Sequence, residues 1–536
     1  MNIPVNFTNW FVALLPVIIL IILLVFLNMK ASKAAVIGLI IATLTGFFIY
    51  KGSKELIAYE IIKGAWSSIT ILLIIVTAIL LYQVGVAANA FNVIKNKISH
   101  FIPNELLAII SIGWVFVSFL QGITGFGVPV AVGAPLLIGL GVKPVYAVFI
   151  ALIGQSWGNT FGTLAAAWDA LALTTNMQPG SPEYQFTAFW AGVMLLFWVI
   201  IIGLVTSWTY GKMEGVKKGL PAITVISLIM GGGQLLFTRI NTTLATFIPS
   251  AVALFSVILL SKLKTYNTPW KISDSLIMDR NQEVEESSIK IDMSLLQAFI
   301  PYIVLSLLTL GLLVIKPLND VLSKVQIGFA FPETVTEYGF VNPSIEKYAP
   351  ITPFTHASFF LLVSSLVGLW YYISKGWIKT QQIVTIVKNS FKMALPSSIS
   401  VLSLIIMSKV MGGTGQIQVM AMGIVSVLGT KYLILSPFVG FLGTFITGSN
   451  MSSNILFGQF QLTTANLLST NSSFLLAAQT SGASVGASLS PSNIVLGTTT
   501  ANIAGEEGNV MKKIMPISLP VILLFGIFVL VRSLIF

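Results

Sequence analysis

Apolar runs of the length that crosses a lipid bilayer recur along nearly the whole chain of 536 residues. An α-helix of about 20 apolar residues spans the hydrocarbon core of a membrane, and the runs at 11–27, 188–205 and 517–531 approach or reach that length. Charged residues make up only 9% of the chain, whereas a soluble protein carries roughly 25%. We therefore predict an all-α polytopic membrane protein with about 12–14 transmembrane helices, because continuous apolar runs are not the alternating pattern of a membrane β-barrel.

Two long polar connections organise the predicted spans. Residues 262–297 mix charges of both signs and are predicted to form a cytoplasmic loop between a first transmembrane half at 1–261 and a second at 298–536. Residues 317–352 hold few basic residues among prolines and aromatics and are predicted to be extracellular. The net charge is +11, and the Lys and Arg residues lie mostly in short connections. Basic residues there orient a protein in the lipid bilayer, so we expect no nucleic-acid partner.

Two short motifs occur twice in the same order, which predicts an internal duplication. FVSFLQGITG at 116–125 resembles FVGFLGTFITG at 438–448, and QSWGNTFG at 155–162 resembles QTSGASVG at 479–486. The first copies lie in a repeat at about 105–168 and the second in a repeat at about 417–490. Many transporters are built from two inverted repeats with broken or re-entrant helices, and we expect that architecture here.

The repeated segments hold residues that break transmembrane helices. Residues 121–135 read QGITGFGVPVAVGAP and residues 443–454 read GTFITGSNMSSN. Backbone groups freed at membrane depth need protein or a wet cavity to satisfy them, and half-helix N-termini there bind anions. Close helix packing is the alternative reason for small residues, but it does not account for the prolines and amides. The candidate substrate-binding residues are Gln121, Thr124, Gly125, Gly127, Gln155, Asn159, Thr160, Asn450, Ser452, Ser453, Asn454, Gln479, Thr480, Ser481 and Ser484.

The rest of the sequence argues against an enzyme. It contains no G-x-x-x-x-G-K-[ST] motif for ATP and no cysteine, and no clustered Ser/His/Asp set or metal site is visible. We expect no cofactor and no metal. Two charged residues at membrane depth are ion-coupling or charge candidates. Lys409 either meets an anionic substrate or extends to the interface, and Asp169 either binds a proton or cation or lies at a helix end.

At these segments the sequence resembles the L-lactate permease family, bacterial secondary transporters for L-lactate and related 2-hydroxymonocarboxylates such as glycolate. The likeness covers nearly the whole chain and is strongest at 125–147, 447–458 and 479–498. The resemblance implies a secondary active transporter, a multi-pass permease of the bacterial cytoplasmic membrane. It also implies that a small carboxylate is taken up with a coupling proton, and an inverted-repeat transporter does this by alternating access.

Three positions depart from the pattern of that family. Gln121 stands where the pattern has Glu, Asn450 stands where it has Asp, and Ala487 lies near the position of a Lys. An amide side chain has no proton to exchange at physiological pH. Coupling to Na⁺, or uncoupled transport of another small organic solute, therefore stays open beside proton symport. A channel built from the same broken helices is a further alternative.

Overall fold

The structure is a computed structural model that describes residues 6–27, 29–94, 102–125, 127–280 and 292–535. Helices dominate it, as the apolar runs predict. In chain order the helices are α1 (Phe7–Phe26), α2 (Ala31–Phe48), α3 (Lys54–Ala87), α4 (Glu105–Ile123), α5 (Val128–Ile138), α6 (Pro144–Ser156), α7 (Gly162–Thr175), α8 (Pro182–Ile240), α9 (Phe247–Leu260), α10 (Leu295–Ala298), α11 (Ile300–Val314), α12 (Lys316–Leu322), α13 (Ala357–Ser374), α14 (Gln382–Gly413), α15 (Gln416–Leu428), α16 (Tyr432–Thr447), α17 (Asn450–Leu467), α18 (Ser472–Leu489), α19 (Pro491–Thr500) and α20 (Glu507–Ile535).

Ten helical stretches of the described residues are long and apolar enough to cross a membrane, and the pair α11–α12, bent by 86°, is an eleventh candidate. Hydropathy predicts spans at 145–167, 187–208, 220–237 and 470–488, and these account for the difference from the predicted 12–14. The span at 145–167 is interrupted between α6 and α7, and α18, at the span predicted over 470–488, is not among the ten. In addition, α8 contains two of the predicted spans, because its backbone leaves the helical region at Gly211 and Lys212. The chain folds back there, so that Gly203 packs against Ile223.

The helix ends define two faces of the molecule. Segment 262–280 packs against the start of α4, where the Glu105 amide donates to Trp270 O at 3.1 Å, and against the α5–α6 turn, where the Lys143 amide donates to Ile277 O at 2.7 Å. Arg280 pairs with Glu105 at 2.6 Å, and hydrogen bonding to that carboxylate raises the pKa of Arg280. We call this face the 262–280 end. Residues 281–291 of the predicted cytoplasmic loop lie outside the described residues.

The opposite face, the 317–352 end, carries α12 and four short strands. Strand β1 (Ile327–Phe331) pairs antiparallel with β4 (Ile345–Ile351), with Phe329 opposite Tyr348, and β2 (Thr334–Val335) pairs with β3 (Val341–Asn342). Aromatic side chains fix this small unit on α3, since the rings of Trp66 and Phe329 lie 4.6 Å apart. The region that the sequence analysis predicts as an extracellular loop is thus an ordered cap.

Two kinds of helix–break–helix unit each occur twice, and the second copy of each runs in the opposite direction between the two ends. Hairpin 1 is α4 with α5: it enters from the 262–280 end, turns inside the protein and returns to the same end. Broken span 1 is α6 with α7, which crosses from the 262–280 end to the 317–352 end. Hairpin 2, α16 with α17, enters from the 317–352 end, and broken span 2, α18 with α19, crosses back towards the 262–280 end. These units are the two inverted repeats.

A second group of helices, α2, α3 and α14, packs beside the repeats. Its helices approach closely because small residues lie at the crossings. A Cβ atom added at Gly64 of α3 would lie 2.7 Å from the Ile406 Cα atom of α14, and one at Gly38 of α2 would lie 3.1 Å from the Met407 sulfur. This group supplies the remaining wall of the site described next.

Candidate functional site

A cavity of about 480 Å³ lies where the two hairpin tips meet the break in each broken span. Its mouth is at the 262–280 end, where Lys30 and Pro396 are exposed. Its inner wall includes Ala167 of α7 and the first turn of α17. A volume in this range accommodates a small organic molecule. The residues that line the cavity are Lys30, Ala31, Ser32, Gln121, Gly125, Gly127, Gln155, Asn159, Gly162, Thr163, Ala167, Pro396, Ser397, Ser400, Val401, Thr447, Gly448, Ser449, Asn450, Met451, Ser452, Ala487 and Asn493.

The tip of hairpin 1 depends on glycine. Gly127 has φ of 80° at the start of α5, a left-handed conformation that favours glycine. A Cβ atom added there would lie 2.3 Å from Leu496 of α19, so the tip packs directly on broken span 2. Pro129 follows within the first turn of α5, where its missing amide hydrogen costs nothing. The glycine–proline run at 121–135 thus forms the re-entrant turn that the sequence predicts.

The tip of hairpin 2 has the same design. Gly448 has φ of 78° between α16 and α17. Ser449 then caps α17, because its side chain accepts a hydrogen bond from the Ser452 amide at 3.3 Å. The first turn of α17 lines the cavity, so the partial positive charge of a helix N-terminus faces it. The matched motifs at 116–125 and 438–448 therefore end at equivalent tips.

Broken span 1 is interrupted by an unusual turn. A short 3₁₀ segment at Trp157–Asn159 follows α6, and Thr163, Leu164 and Ala165 then have φ of 50°, 50° and 68°. Each left-handed residue with a side chain costs roughly 1–2 kcal/mol, and such strain concentrates at functional sites. Broken span 2 is interrupted more simply, at Ser490 before Pro491.

The structure divides the predicted binding residues into two groups. One group lines the cavity: Gln121, Gly125, Gly127, Gln155, Asn159, Asn450 and Ser452. The other group is buried, and its side chains donate hydrogen bonds inside the protein: Thr124, Thr160, Ser453, Asn454, Gln479, Thr480, Ser481 and Ser484.

The second group joins the two repeats. Thr160 of broken span 1 donates to Thr480 O of broken span 2 at 3.0 Å, and Ser484 donates to Ser156 O at 2.7 Å. Asn450 reaches from the cavity into this network, since its amide nitrogen lies 3.2 Å from both Thr160 Oγ1 and Thr480 O. The matched motifs at 155–162 and 479–486 thus contact each other across the repeat interface. Hydroxyl groups of each motif thus donate to backbone carbonyls of the other inside the protein, where buried donors need partners.

Two cavity features were not anticipated from the sequence. The wall opposite the repeats comes from the start of α2 and from Pro396, Ser397 and Ser400 of α14. The only sequence signal for that wall is a proline followed by serines inside an apolar helix, which marks a site where helix hydrogen bonds are disturbed. Gln155 is the second feature: its Oε1 atom is buried and has no hydrogen-bond partner among the described residues. An unpaired buried acceptor lacks a donor, and a ligand hydroxyl would supply one once the Gln155 side chain turns its Oε1 atom into the cavity.

The two charged candidates lie away from this cavity. Lys409 is buried at the 317–352 end, where its ammonium donates to Leu173 O at 3.1 Å. Asp169 lines a second cavity of about 420 Å³ at the same end, together with Tyr184, Arg239 and His356. The structure therefore does not bring Lys409 or Asp169 together with the amides and hydroxyls of the main cavity.

Lys30 is the single charged residue among the described residues that line the main cavity. Gln121, Asn450 and Ala487, the three positions that depart from the family pattern, all line it. The three positions at which the resemblance implies ionisable residues thus lie in one chamber. It contains amides, hydroxyls and helix N-termini but no described carboxylate.

Comparison with known proteins identifies the family of this chain. The family described as L-lactate permease matches residues 9–536. The chain belongs to the L-lactate permease family. Its relatives within the L-lactate permease family include the glycolate permease GlcA of Escherichia coli K12, 27% identical over 98% of this chain and 96% of that protein. The L-lactate permease of Halalkalibacterium halodurans is 28% identical over 98% of this chain and 97% of that protein.

Among solved structures, the YdaH transporter of Alcanivorax borkumensis, described as having an unusual topology, is 11% identical over 86% of this chain and 84% of that chain, with a TM-score of 0.42. A score this low does not establish a shared fold. Membership of the L-lactate permease family together with ten apolar helices identifies a multi-pass membrane transport protein whose relatives are bacterial.

Proposed function

We propose that this permease carries a small 2-hydroxymonocarboxylate, L-lactate or glycolate, in the main cavity. The observation that carries the proposal is the convergence of both hairpin tips on one chamber that has an anion-favouring helix N-terminus. The substrate carboxylate would meet the first turn of α17 near Asn450 and Ser452. The 2-hydroxyl would donate to the free Oε1 atom of Gln155. The names of the relatives, lactate and glycolate permeases, agree with this substrate class.

The distribution of basic residues supports an orientation with the 262–280 end in the cytoplasm. Cytoplasmic connections of membrane proteins carry an excess of Lys and Arg. The basic residues of the described chain at that end are Lys30, Lys33, Lys143, Lys212, Lys217, Lys218, Lys262, Lys264, Lys271, Arg280, Lys375, Lys379, Lys388, Lys392, Lys512 and Lys513. In this orientation the cavity opens to the cytoplasm, and Lys30 at its mouth attracts anions.

Transport would proceed by alternating access. The cavity lies between the repeats on one side and α2 with α14 on the other, so displacement of the repeats along that group would move the mouth to the opposite face. Proton symport requires a titratable group, and Asp169, which lines the second cavity, is our candidate for that group. Coupling through Asp169 is the form of proton symport that we propose.

Uptake of radiolabelled lactate and glycolate into proteoliposomes, with and without an inward proton gradient, tests the proposal. We expect saturable uptake of at least one acid, stimulated by the gradient, and loss of the stimulation in Asp169→Asn. Absence of uptake of both acids would refute the substrate class. Uptake that ignores the gradient would refute proton symport while leaving the carrier in place.

Na⁺-coupled or uncoupled transport is a second candidate, because no described carboxylate lines the cavity. Gln121→Glu separates the two candidates. If a proton gradient drives uptake only in that variant, the native chain has left the proton-coupled mechanism. Large unitary currents in electrical recordings would instead indicate a channel.

A further inference from the structure

A small pocket at the 317–352 end has no role in the transport path described above. Its volume is about 200 Å³, and it lies between α3 and α14 beneath the strand cap. Phe340, Asn342 and Tyr348 of the cap form one wall of it. Asn342 holds the cap down, because its amide donates to Gly413 O at 2.9 Å. The space holds several water molecules of roughly 30 Å³ each, and therefore also an acid with few non-hydrogen atoms.

The charge of this pocket is unbalanced. Lys63 and Glu60 form a buried ion pair at 2.7 Å, and both residues are only 4% exposed. Lys409 lines the same pocket and is 9% exposed. It forms no ion pair with any carboxylate of the described residues. Two ammonium groups and one carboxylate leave a net charge of about +1.

The environment of Lys409 supplies partial stabilisation but no counter-charge from the described residues. The ammonium donates to one backbone carbonyl, Leu173 O, and lies 5.6 Å from the centre of the Tyr348 ring. The side chain does not extend to bulk water, since Lys409 is only 9% exposed and its ammonium packs against the Tyr348 ring of the cap. A buried charge without a counter-ion is costly, and in membrane proteins such groups mark ion or substrate sites. An anion in the pocket would supply the missing charge.

Neutral donors complete an anion site. Asn176 at the end of α7 and Gln459 of α17 line the pocket beside the lysines, whereas the hydroxyl of Thr174, which also lines it, donates to Ala170 O. These residues belong to the repeats, whereas Lys63 and Lys409 belong to α3 and α14. An anion bound here would therefore contact both groups of helices at the 317–352 end, on the opposite side of the molecule from the mouth of the main cavity.

We propose that this pocket is a second binding site for one small monocarboxylate, held by Lys409 and Lys63 at the 317–352 end. The choice of a carboxylate rests on the proposed function, whereas the net charge of the pocket independently selects a monovalent anion over a divalent one. The site captures substrate on that side before the main cavity opens to it.

Equilibrium binding of radiolabelled lactate and glycolate to the purified full-length protein tests this site. We expect two bound molecules per chain in the wild type and one in Lys409→Gln, with affinity at the affected site reduced roughly 100-fold, as is typical when a buried charge partner is removed. Lys409→Arg keeps the charge and should keep both molecules. Lys347→Gln is the matched control, because Lys347 is an exposed lysine of the same cap that donates to Gln326.

A single bound molecule in the wild type, or two in Lys409→Gln, would overturn the proposal. Equal competition by chloride or by a dicarboxylate at the Lys409-dependent site would overturn its assignment to monocarboxylates. An unchanged thermal midpoint in Lys409→Gln would show that the variant loses the site and not the fold. If the midpoint falls, two bound molecules in Lys409→Arg would show that the charge at this position is what the second molecule requires. These outcomes differ from a failure of the proposed transport function, which would appear as an absence of wild-type uptake in proteoliposomes.

Discussion

Substitution of Gly448 by alanine probes the tip of hairpin 2 most directly. Gly448 has φ of 78°, and a Cβ atom added there would lie 2.1 Å from Ser492 Oγ and 3.4 Å from Ser490 Oγ. The left-handed conformation costs alanine about 1–2 kcal/mol. The contact also forces Ser492 to rotate or the tip to move, which removes the 3.0 Å hydrogen bond between the two serines, worth about 0.5–1.5 kcal/mol.

A matched control separates these two contributions. Gly376 has φ of 76° in the turn after α13, and a Cβ atom there would meet nothing within 4 Å. Gly376→Ala therefore carries the backbone cost without the contact at the tip. If the additional 0.5–1.5 kcal/mol of Gly448→Ala opposes the substrate-binding geometry, the KM for uptake rises about two- to tenfold. Gly376→Ala should lower the thermal midpoint and leave KM unchanged.

The assay is the initial rate of lactate or glycolate uptake over a range of substrate concentrations, together with thermal unfolding of each purified variant. Combining Gly448→Ala with Ser492→Ala removes the atom that the new methyl group meets. The double variant should therefore recover much of the KM increase relative to Ser492→Ala alone, as a double-mutant cycle reports. An unchanged KM in Gly448→Ala, or an equal increase in Gly376→Ala, would refute the role of this tip in binding.

Three further predictions follow from other contacts. Gln121→Glu places a titratable carboxyl in the main cavity, so uptake should fall more steeply than in the wild type as the pH rises, because an ionised carboxylate repels the anionic substrate. The same pH profile in variant and wild type between pH 5.5 and 8 would contradict this. Ser484→Ala removes the 2.7 Å hydrogen bond to Ser156 O across the repeats and should destabilise the protein by about 1 kcal/mol, measured by thermal unfolding. Arg280→Gln removes the partly exposed pair with Glu105, and a loss above about 1 kcal/mol would show that the pair contributes more than a typical surface ion pair.

The fold class and the broken helices were predictable because both depend on local chemistry. Composition alone requires lipid as the main solvent, since 9% charged residues do not cover a soluble surface. The glycines and prolines of 121–135 act on their own backbone, so the break at the tip of hairpin 1 could be predicted without knowledge of its neighbours. The repeated motif ending at Gly125 and Gly448 likewise predicted two equivalent tips.

The number of continuous spans was less predictable. Hydropathy measures composition over a window, so it treats 145–167 as one span although the backbone there is broken at Trp157–Asn159. It also cannot show that α8 folds back at Gly211 and Lys212. The ordered strands at 327–351 depend on contacts with Trp66 of α3, which a window over the sequence does not include.

The sequence by itself determined that the chain is a membrane protein with paired broken helices, and it nominated a set of polar residues for the site. Only the tertiary structure decided which of them face a cavity. Asn450 and Gln155 line it, whereas Ser484 and Thr480 join the repeats, although all four lie in similar polar motifs. The physical reason is that successive residues of a helix point in different directions, and what each one meets depends on distant helices.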